Sequence, residues 1–417
     1  MAASRPASVS LPPLWTRDLL LLALGVLLQA ITFNMLMPVL PLFVTDVLGG
    51  HPGAVGLAVG AYSATALLTR PFAGYLLDRF GRRTPQLLTT GCFGVITFTY
   101  LLAQGLSSLL VVRLLHGAAW GLVSVAGPTI AADLVPPARR GEGLSLFGLT
   151  LPLGMALGPL LGSWALASGR FTRVFLLAGL FAVGSWCCYL VVRHPRVADP
   201  AARFRLGRVF DGPVAQVSVF MLLLCVGWGA LIAFIPLYLE QAGFAAAAPF
   251  FGCYALGAIV SRLFSGRWYD RHGPVPPIGL GMALLAGGWV LLAASPGRPL
   301  VLLAGLSLGL GFGVAIPAFT ALAMDLVPPA RRGAANATAF TSYDLGTILG
   351  AVGAGPVVAR WGLAAVFALA AVGVGVSLSL FVGVALPAYR THRLRLVGEG
   401  RRPVAEGLAL VEQGRSS

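Results

Sequence analysis

Lysine is absent from this sequence, and charged residues of any kind are scarce. All 29 basic residues are arginine, 14 residues are acidic, and charged residues make up only 10% of the chain. A Gly-rich phosphate-binding loop ends in lysine, so the chain cannot supply the ATPase of a primary pump. The few acidic, histidine and cysteine residues form no paired-carboxylate, metal-ligand or nucleophile pattern. We therefore expect a protein that is not an enzyme and needs no cofactor or metal ion.

Polar stretches are short as well, because 57% of the residues are hydrophobic and the mean hydropathy is +0.86. A water-soluble domain has too little interior for so many apolar side chains. Apolar runs of about twenty residues recur, each roughly long enough to cross a bilayer core of ~30 Å as a helix. The sequence predicts an all-α integral membrane protein with twelve transmembrane helices. Their approximate spans are 18–42, 54–77, 85–104, 108–132, 142–168, 172–192, 213–239, 245–268, 275–295, 299–324, 333–359 and 363–386.

The placement of the arginines predicts the orientation of the chain. If the N-terminus is cytoplasmic, 22 of the 29 arginines lie in cytoplasmic segments and only 4 lie in outer loops. Because positive residues favour the cytoplasmic side, we expect a multi-pass protein of the cytoplasmic (inner) membrane with both termini in the cytoplasm. This topology accounts for the net charge of +15. We therefore expect the lipid bilayer as a partner and no nucleic acid.

The polar segment DLVPPARRG occurs twice, at 133–141 and at 325–333. An offset of 192 residues relates the two copies, and one register that aligns several separate features indicates two homologous halves. We expect a pseudo-symmetric six-helix bundle at 1–192, a cytoplasmic linker at 193–212, a second six-helix bundle at 213–386 and a cytoplasmic tail at 387–417. The other pairs in this register are Arg70 and Arg262, Gly74 and Gly266, Asp78 and Asp270, Gly117 and Gly309, Gly121 and Gly313, Gly154 and Gly346, and Gly158 and Gly350.

The loop between the second and third spans reads GYLLDRFGRR. Its glycine and charged residues are Gly74, Asp78, Arg79, Gly81, Arg82 and Arg83. Together with two parallel halves of six helices, this loop resembles the signature of the major facilitator superfamily, and the resemblance covers nearly the whole chain. It implies the major facilitator fold, in which two bundles rock about a central site. It also implies that the loop is a conformational latch for the outward-open state.

The chemistry of this latch can be stated residue by residue. Gly74 would let a neighbouring helix approach closely, and Gly81 would permit a tight turn. Asp78 would face the positive N-terminal end of a helix from the other half. The alternative is a plain loop that follows the positive-inside rule, but such a loop would need neither the aspartate nor the glycines.

The second half carries an altered copy of the latch. It keeps Asp270 and Arg271, but Pro274 stands where Arg82 would align. We expect this second latch to be weaker, because part of its arginine cluster is missing.

The fifth span contains GMALGPLLG, with Gly154, Gly158, Pro159 and Gly162. This segment resembles the antiporter motif of exporting members of the superfamily. Small residues at every fourth position would make a flat packing face, and Pro159 would bend the helix where it meets the opposite half. Because the chain has 54 glycines, such spacings also arise by chance. The motif is the main reason to expect export rather than uptake.

Ionisable residues within a membrane span are costly and usually functional. Asp344 is the one acid near the middle of a span, and Arg113 in the fourth span aligns with Gly305 in the second half. Many multidrug relatives place an acid in the first helix, where this chain has Gln29 and Asn34. We predict proton coupling or substrate binding at Arg113, Asp344, Asn34 and Gln29. The structural alternatives are an arginine that snorkels to the outer surface and an aspartate bonded to a neighbouring helix.

The resemblance also implies a central cavity lined by the first, fourth, seventh and tenth helices. Its candidate aromatic residues are Phe33, Trp120, Trp228, Phe234 and Phe319. An apolar, aromatic cavity with few fixed charges favours amphiphilic or cationic organic molecules over sugars. We predict a secondary active transporter, acting as a monomer, that exports drug-like molecules or metabolites by alternating access in exchange for protons. The alternatives are a proton-linked importer or facilitator of a sugar or other small metabolite, and a passive channel or non-transporting receptor.

Overall fold

The structure is a computed structural model that describes residues 13–136, 139–194, 212–244, 247–294, 297–327 and 332–385. Over these ranges the chain is helical and contains no β-strand. Short π-helical or 3-10 turns lie at Phe43–Val47, Tyr100–Leu102 and Phe381–Ala385. The α-helices are α1 (Arg17–Leu36), α2 (Val39–Leu42), α3 (Pro52–Phe80), α4 (Arg83–Thr99), α5 (Leu106–Leu134), α6 (Arg140–Phe147), α7 (Thr150–Leu166), α8 (Phe171–Val191), α9 (Gly212–Gln241), α10 (Ala248–His272), α11 (Val275–Ala293), α12 (Arg298–Asp325) and α13 (Arg332–Leu380).

Ten segments of the described chain are long and apolar enough to cross a membrane, which confirms the all-helical membrane fold. The last of them lies mainly in α13, whose 49 residues would span about 70 Å as a straight helix, more than twice a bilayer core. α13 instead breaks at Gly362, where φ is 80°. It therefore contains two helices. α7 is apolar but shorter, so the count of twelve transmembrane helices stays a prediction.

Local signals in the sequence set several helix ends. The Thr16 hydroxyl accepts a hydrogen bond of 3.3 Å from the Leu19 N–H and so caps α1. α3 ends at Gly81 with φ of 79°, and α10 ends at the aligned Gly273 with φ of 76°. Glycine adopts this left-handed conformation without steric cost. The chain can therefore turn within two residues and begin α4 at Arg83, as expected of a tight turn at Gly81.

Two groups of helices pack mainly among themselves, α1–α8 in the first and α9–α13 in the second. The glycine contacts inside them repeat in the register of the sequence. A Cβ at Gly117 would collide with the backbone carbonyl of Tyr62, and a Cβ at Gly309 would collide with that of Tyr254, 192 residues further on in both cases. We interpret the groups as the two pseudo-symmetric bundles. Nearly all of the linker and the whole tail lie outside the described residues.

The helix ends lie on two opposite faces of the molecule. One face carries the start of α1, the turn between α3 and α4, and the end of α8, since the Arg193 N–H donates 3.0 Å to Asp18 Oδ1 and Arg83 lies near His194. We call it the arginine-rich face because of Arg17, Arg79, Arg83 and Arg193. The bundles contact each other through α3 against α13 and α7 against α10. These two contacts flank the space in which the candidate site lies.

Candidate functional site

A cavity of about 960 Å³ lies between the two bundles. Phe33, Trp120 and Trp228 line it, as the sequence predicts, but Phe234 and Phe319 are fully buried elsewhere. None of the described residues of α12, which is the tenth span, reaches the cavity wall. The expected lining by that helix is therefore wrong in this conformation. α3 and α13 provide the wall instead, because these two helices pack directly against each other between the bundles.

The cavity is open toward the arginine-rich face and closed toward the opposite face. Its wall reaches Asp78 and Thr129, near the ends of α3 and α5 at the arginine-rich face. At the other end, a Cβ at Gly355 of α13 would lie only 2.8 Å from Gly53 Cα in the first turn of α3. Backbones packed this closely leave no path for a solute. The structure is thus a state with one-sided access.

One ion pair joins the two bundles at the cavity wall. Arg70 Nη1 of α3 lies 2.7 Å from Asp344 Oδ2 of α13, and the two side chains are 21% and 7% exposed. The Arg70 guanidinium also lies 5.7 Å from the centroid of the Phe340 ring. No described residue donates a hydrogen bond of ordinary geometry to Asp344 Oδ2, so charge attraction carries the contact. Asp344 therefore lies in the cavity wall, bound to a helix of the other bundle.

The internal repeat does not duplicate this ion pair. Arg262 aligns with Arg70, but Pro152 of α7 aligns with Asp344. In the sequence, Arg70 stands out only as one member of a repeat pair. An acid and a base that meet from opposite halves of the chain can be matched only once the bundles are docked.

Arg113 of α5 lies in the cavity wall and does not snorkel to the surface. The residue is 5% exposed. Its Nε donates a hydrogen bond of 2.7 Å to the Ala58 carbonyl, and its Nη1 donates one of 3.3 Å to the Tyr100 hydroxyl. The guanidinium carbon lies 4.3 Å from the centroid of the Tyr62 ring, a short cation–π distance. α3 and the 3-10 turn after α4 thus hold the cation in place.

His116 continues this polar network away from the cavity. Its Nδ1 lies 3.0 Å from the Tyr100 hydroxyl, and its Nε2 lies 3.3 Å from the Thr97 hydroxyl. Because the Thr97 hydroxyl donates 2.8 Å to the Phe93 carbonyl, it accepts from Nε2, and the neutral ring then accepts at Nδ1 from the Tyr100 hydroxyl. His116 is thereby a packing residue that orients Tyr100.

Aromatic rings form one side of the cavity beside Arg113. Phe33 of α1 stacks on Tyr62 with 5.2 Å between ring centroids and on Trp120 with 4.8 Å. Both ring pairs are close to parallel, with interplanar angles of 19°. The wall offers flat apolar faces next to one fixed cation.

The two polar residues predicted in the first helix have different surroundings. Asn34 lines the cavity, and its Nδ2 donates 2.7 Å to the Ala30 carbonyl. Gln29 does not line it. Its Nε2 donates to the Thr90 hydroxyl at 3.2 Å, and its Oε1 accepts from the Tyr189 hydroxyl at 3.0 Å. This geometry gives Gln29 a structural role, because both ends of its amide join α1, α4 and α8, and its coupling or substrate role stays a prediction.

The charges of the α3–α4 loop form a network inside the first bundle. Arg82 Nε donates 2.7 Å to Asp133 Oδ2, and its Nη1 donates 2.9 Å to Asp78 Oδ1 and 2.9 Å to the Leu77 carbonyl. Burial lowers the pKa of Arg82, but the hydrogen bonds and charges of Asp133 and Asp78 outweigh it and raise the pKa above its ordinary value. Asp133 is the first residue of the repeated segment, so the first copy of the repeat anchors this loop.

The second copy of the repeat is held differently. Asp325, the counterpart of Asp133, accepts a hydrogen bond of 2.8 Å from the Tyr269 hydroxyl. Pro274 stands where Arg82 would align, so the residue at this position cannot supply a cation to Asp325. Arg271 is exposed at the end of α10. The side chain of Asp270 lies outside the described residues.

The latch expected at this loop is not engaged across the bundles. The Asp78 side chain is 61% exposed and pairs with Arg82 of its own bundle. Arg79 lies near the ring of Tyr75, 5.9 Å from its centroid. A Cβ at Gly74 would meet no atom within 4 Å, so no helix approaches it, contrary to expectation. The physical reason is the open cavity mouth, which separates the bundles at this level.

The glycine motif of α7 packs within its own bundle. Cβ atoms at Gly154, Gly158 and Gly162 would strike Ala30, Asn34 and Met35 of α1. The flat face therefore meets α1, whereas the sequence analysis placed the contact of this helix, at Pro159, with the opposite half. Pro159 is buried inside α7, which does also contact α10 of the second bundle. The motif brings α1 close enough for Asn34 to reach the cavity.

The sequence model of the Major Facilitator Superfamily matches residues 22–351 and 249–413 of this chain. The chain belongs to the major facilitator superfamily. It is therefore a membrane transporter and not an enzyme. The staphylopine export protein of Staphylococcus aureus is 24% identical over 329 aligned residues, in a match that covers 74% of this chain and 82% of that protein. The multidrug resistance protein MdtH of Aeromonas hydrophila is 28% identical over 345 residues, 80% of this chain and 86% of that protein.

A solved structure supports the fold independently. A bacterial homologue of the human lysosomal transporter Spinster, in an inward-facing and occupied conformation, matches with a TM-score of 0.73 at 16% identity. The match covers 89% of this chain and 97% of the other. At this identity the likeness shows the fold alone.

Proposed function

We propose that this superfamily transporter exports small organic molecules by alternating access, in exchange for protons that Asp344 carries. The ion pair between Arg70 and Asp344 is the observation that supports the proposal. It places the one mid-span acid at the wall of the cavity, in contact with the opposite bundle. Relatives that export staphylopine or confer multidrug resistance favour the outward direction.

The charge state of Asp344 would control the contact between the bundles. An ionised Asp344 attracts the Arg70 guanidinium, whereas a protonated one does not. Breaking an ion pair that is shielded from water leaves an uncompensated charge, so the two charge states favour different arrangements of α3 and α13. Loss of a proton would re-form the pair and prepare the cavity for substrate.

The distribution of arginines orients this cycle. With the arginine-rich face in the cytoplasm, the structure corresponds to the inward-open state, in which Asp344 is ionised and the cavity awaits substrate. Closure of this face and separation of α3 from α13 at the opposite end would then expose the substrate and Asp344 to the outside. A proton entering there would neutralise Asp344 and return the empty carrier.

The substitution Asp344→Asn tests the proton role. We expect it to abolish pH-driven uphill efflux from proteoliposomes while leaving downhill exchange, because an amide cannot alternate between charged and neutral forms. Substrate-evoked proton release from the detergent-solubilised protein should also disappear. Glu240→Gln, which removes an exposed acid at the end of α9, is the matched control and should release protons normally.

Three outcomes would contradict the proposal. Proton release undiminished in Asp344→Asn would place the proton elsewhere. Net uptake driven by a proton gradient in the same direction would establish the importer alternative. A flux that neither saturates nor responds to pH would identify a passive channel.

A further inference from the structure

Arg113 is a cation in the cavity wall that no acid of the described chain balances. Among the described residues its hydrogen-bond partners are a carbonyl and a hydroxyl, both neutral. A guanidinium has five N–H donors, and the two contacts use one on Nε and one on Nη1. The donors of Nη2 make no hydrogen bond with this part of the chain. The guanidinium, which lines the cavity, therefore retains both its charge and unused donors.

The charge balance of the central wall is positive. Asp344 is the one acid there, and Arg70 lies 2.7 Å from it and compensates it. Asp78 at the cavity mouth is likewise paired, with Arg82 at 2.9 Å. Arg113 remains as the uncompensated charge of the described wall. A fixed cation in a largely apolar cavity attracts an anion and repels a second cation.

The fold itself does not require a cation at this position. In the second bundle Gly305 aligns with Arg113, and Phe250 aligns with Ala58. The Phe250 ring lies 3.1 Å from where a Cβ of Gly305 would be, so an aromatic ring fills the space that the arginine takes in the first bundle. The same packing problem thus has an apolar solution in this very chain. Arg113 is retained where it faces the cavity.

The neighbouring residues match an aromatic ligand. Tyr62, Phe33 and Trp120 form one ring stack in which Phe33 contacts both of the others. The ring of Tyr62 is already occupied on one side by Arg113 at 4.3 Å. An organic cation would have to compete with Arg113 for that ring. The Tyr62 hydroxyl is a buried donor without a partner among the described residues. Donors at this end and aromatic faces beside them complement an acidic head group on a planar body.

From these observations we infer that the cavity selects amphiphilic organic anions, with the ligand's carboxylate bound by Arg113 and its aromatic part packed against Trp120 at the end of the ring stack. A carboxylate can accept two parallel hydrogen bonds from a guanidinium, which a single neutral acceptor cannot. This preference runs against the cationic substrates that the apolar sequence favours. It refines the proposed function, on which it rests, by naming the class of molecule exported.

Binding of three matched dansyl probes tests the inference. Dansylglycine carries a carboxylate, its amide is neutral, and dansyl-ethylenediamine is a cation on the same ring. Fluorescence titration of the detergent-solubilised protein needs no proton gradient, so it is independent of export. We expect dansylglycine to bind at least roughly tenfold more tightly than the amide, and the cation to bind most weakly. The reason is that a hydrogen bond between two ions is stronger than one to a neutral acceptor.

Variants locate the preference. Arg113→Gln should reduce the ratio between acid and amide to about one, and Arg113→Lys should keep a reduced preference because it keeps the charge but loses the planar fork. Arg262→Gln is the matched control, since this span arginine of the second bundle does not line the cavity. It should leave the ratio unchanged. Gel filtration and melting temperature show whether each variant is folded. If Arg113→Gln is not folded, the reduced ratio expected of Arg113→Lys tests whether Arg113 sets the preference for the acid.

Several results would overturn the inference. These are equal or tighter binding of the cation, an unchanged ratio in Arg113→Gln, and failure of wild-type protein to bind dansylglycine at all. The outcome is separable from that of the proton experiment. Anion selectivity without proton-driven export would refute the proposed function and leave this inference standing. Proton-driven export without anion selectivity would refute this inference and leave the proposed function standing.

Discussion

The network around Arg82 gives the most direct link between the repeated segment and stability. Arg82→Gln removes a buried guanidinium that holds Asp133, Asp78 and the Leu77 carbonyl at 2.7, 2.9 and 2.9 Å. Breaking a fully buried ion pair costs about 3–5 kcal/mol. The acid side chains here are 25% and 61% exposed and regain water, so the exposed share must be discounted. We expect a loss of about 2 kcal/mol.

That loss is measurable as a melting temperature. For a bundle of this size, 1 kcal/mol corresponds to roughly 2–4 °C, so Arg82→Gln should melt about 4–8 °C lower. Intrinsic fluorescence of the detergent-solubilised protein, recorded at one scan rate, provides the comparison, because membrane proteins commonly unfold irreversibly. Arg83→Gln is the control, since this neighbour is exposed. It should shift the melting temperature by less than about 2 °C.

A double-mutant cycle with Asp133→Asn separates the network from general charge effects. If the two residues act together, the double variant should be little less stable than either single one. Equal melting of Arg82→Gln and Arg83→Gln, or strictly additive losses in the cycle, would refute the assignment of the repeat as an anchor for this loop.

Three further outcomes follow from the site. Asp78→Asn should impair transport at normal protein abundance. Asp270→Asn should impair it less, because the second copy of the loop lacks the aligned arginine. Flux assays and immunoblots of both variants check this, and a larger defect in Asp270→Asn would show that the ranking is wrong. Gly158→Ala should lower the melting temperature, since its methyl group would meet the α1 backbone at 2.8 Å, whereas Gly353→Ala, with no neighbour within 4 Å, should be neutral or stabilising. Gln29→Leu should lower stability by about 1–3 kcal/mol but leave substrate affinity unchanged, because both of its hydrogen bonds join helices away from the cavity; altered binding at unchanged melting temperature would return it to the site.

Residues that act through local chemistry were predictable from their own neighbourhood. The left-handed turn at Gly81 follows from glycine in a charged loop between two apolar runs, and Gly273 repeats it. The close helix contacts at Gly117 and Gly309 follow from the spacing of glycines along the helix, since only small residues let two helix backbones touch. Each of these depends on a few consecutive residues, so no knowledge of the docked bundles was needed.

Residues whose role depends on a partner were harder to place. Asp344 could be singled out because a carboxylate inside an apolar run is costly, but its partner Arg70 could not, since nothing in the spacing of α3 points toward α13. Gln29 and Asn34 are five residues apart on one helix, yet only Asn34 reaches the cavity. Which face of a helix meets water, lipid or another helix is set by packing.

The sequence by itself determined that this chain crosses the membrane repeatedly, that it is built from two related halves, and which ionisable residues are too costly to be incidental. Those properties depend on composition, on segment length and on a repeat register, all of which are read along one dimension. Only the tertiary structure decided that Arg70 neutralises Asp344, that Arg113 has no counter-ion among the described residues, and that the cavity opens at the arginine-rich face. Charge balance and access depend on distances between bundles, and those are set when α3 packs against α13.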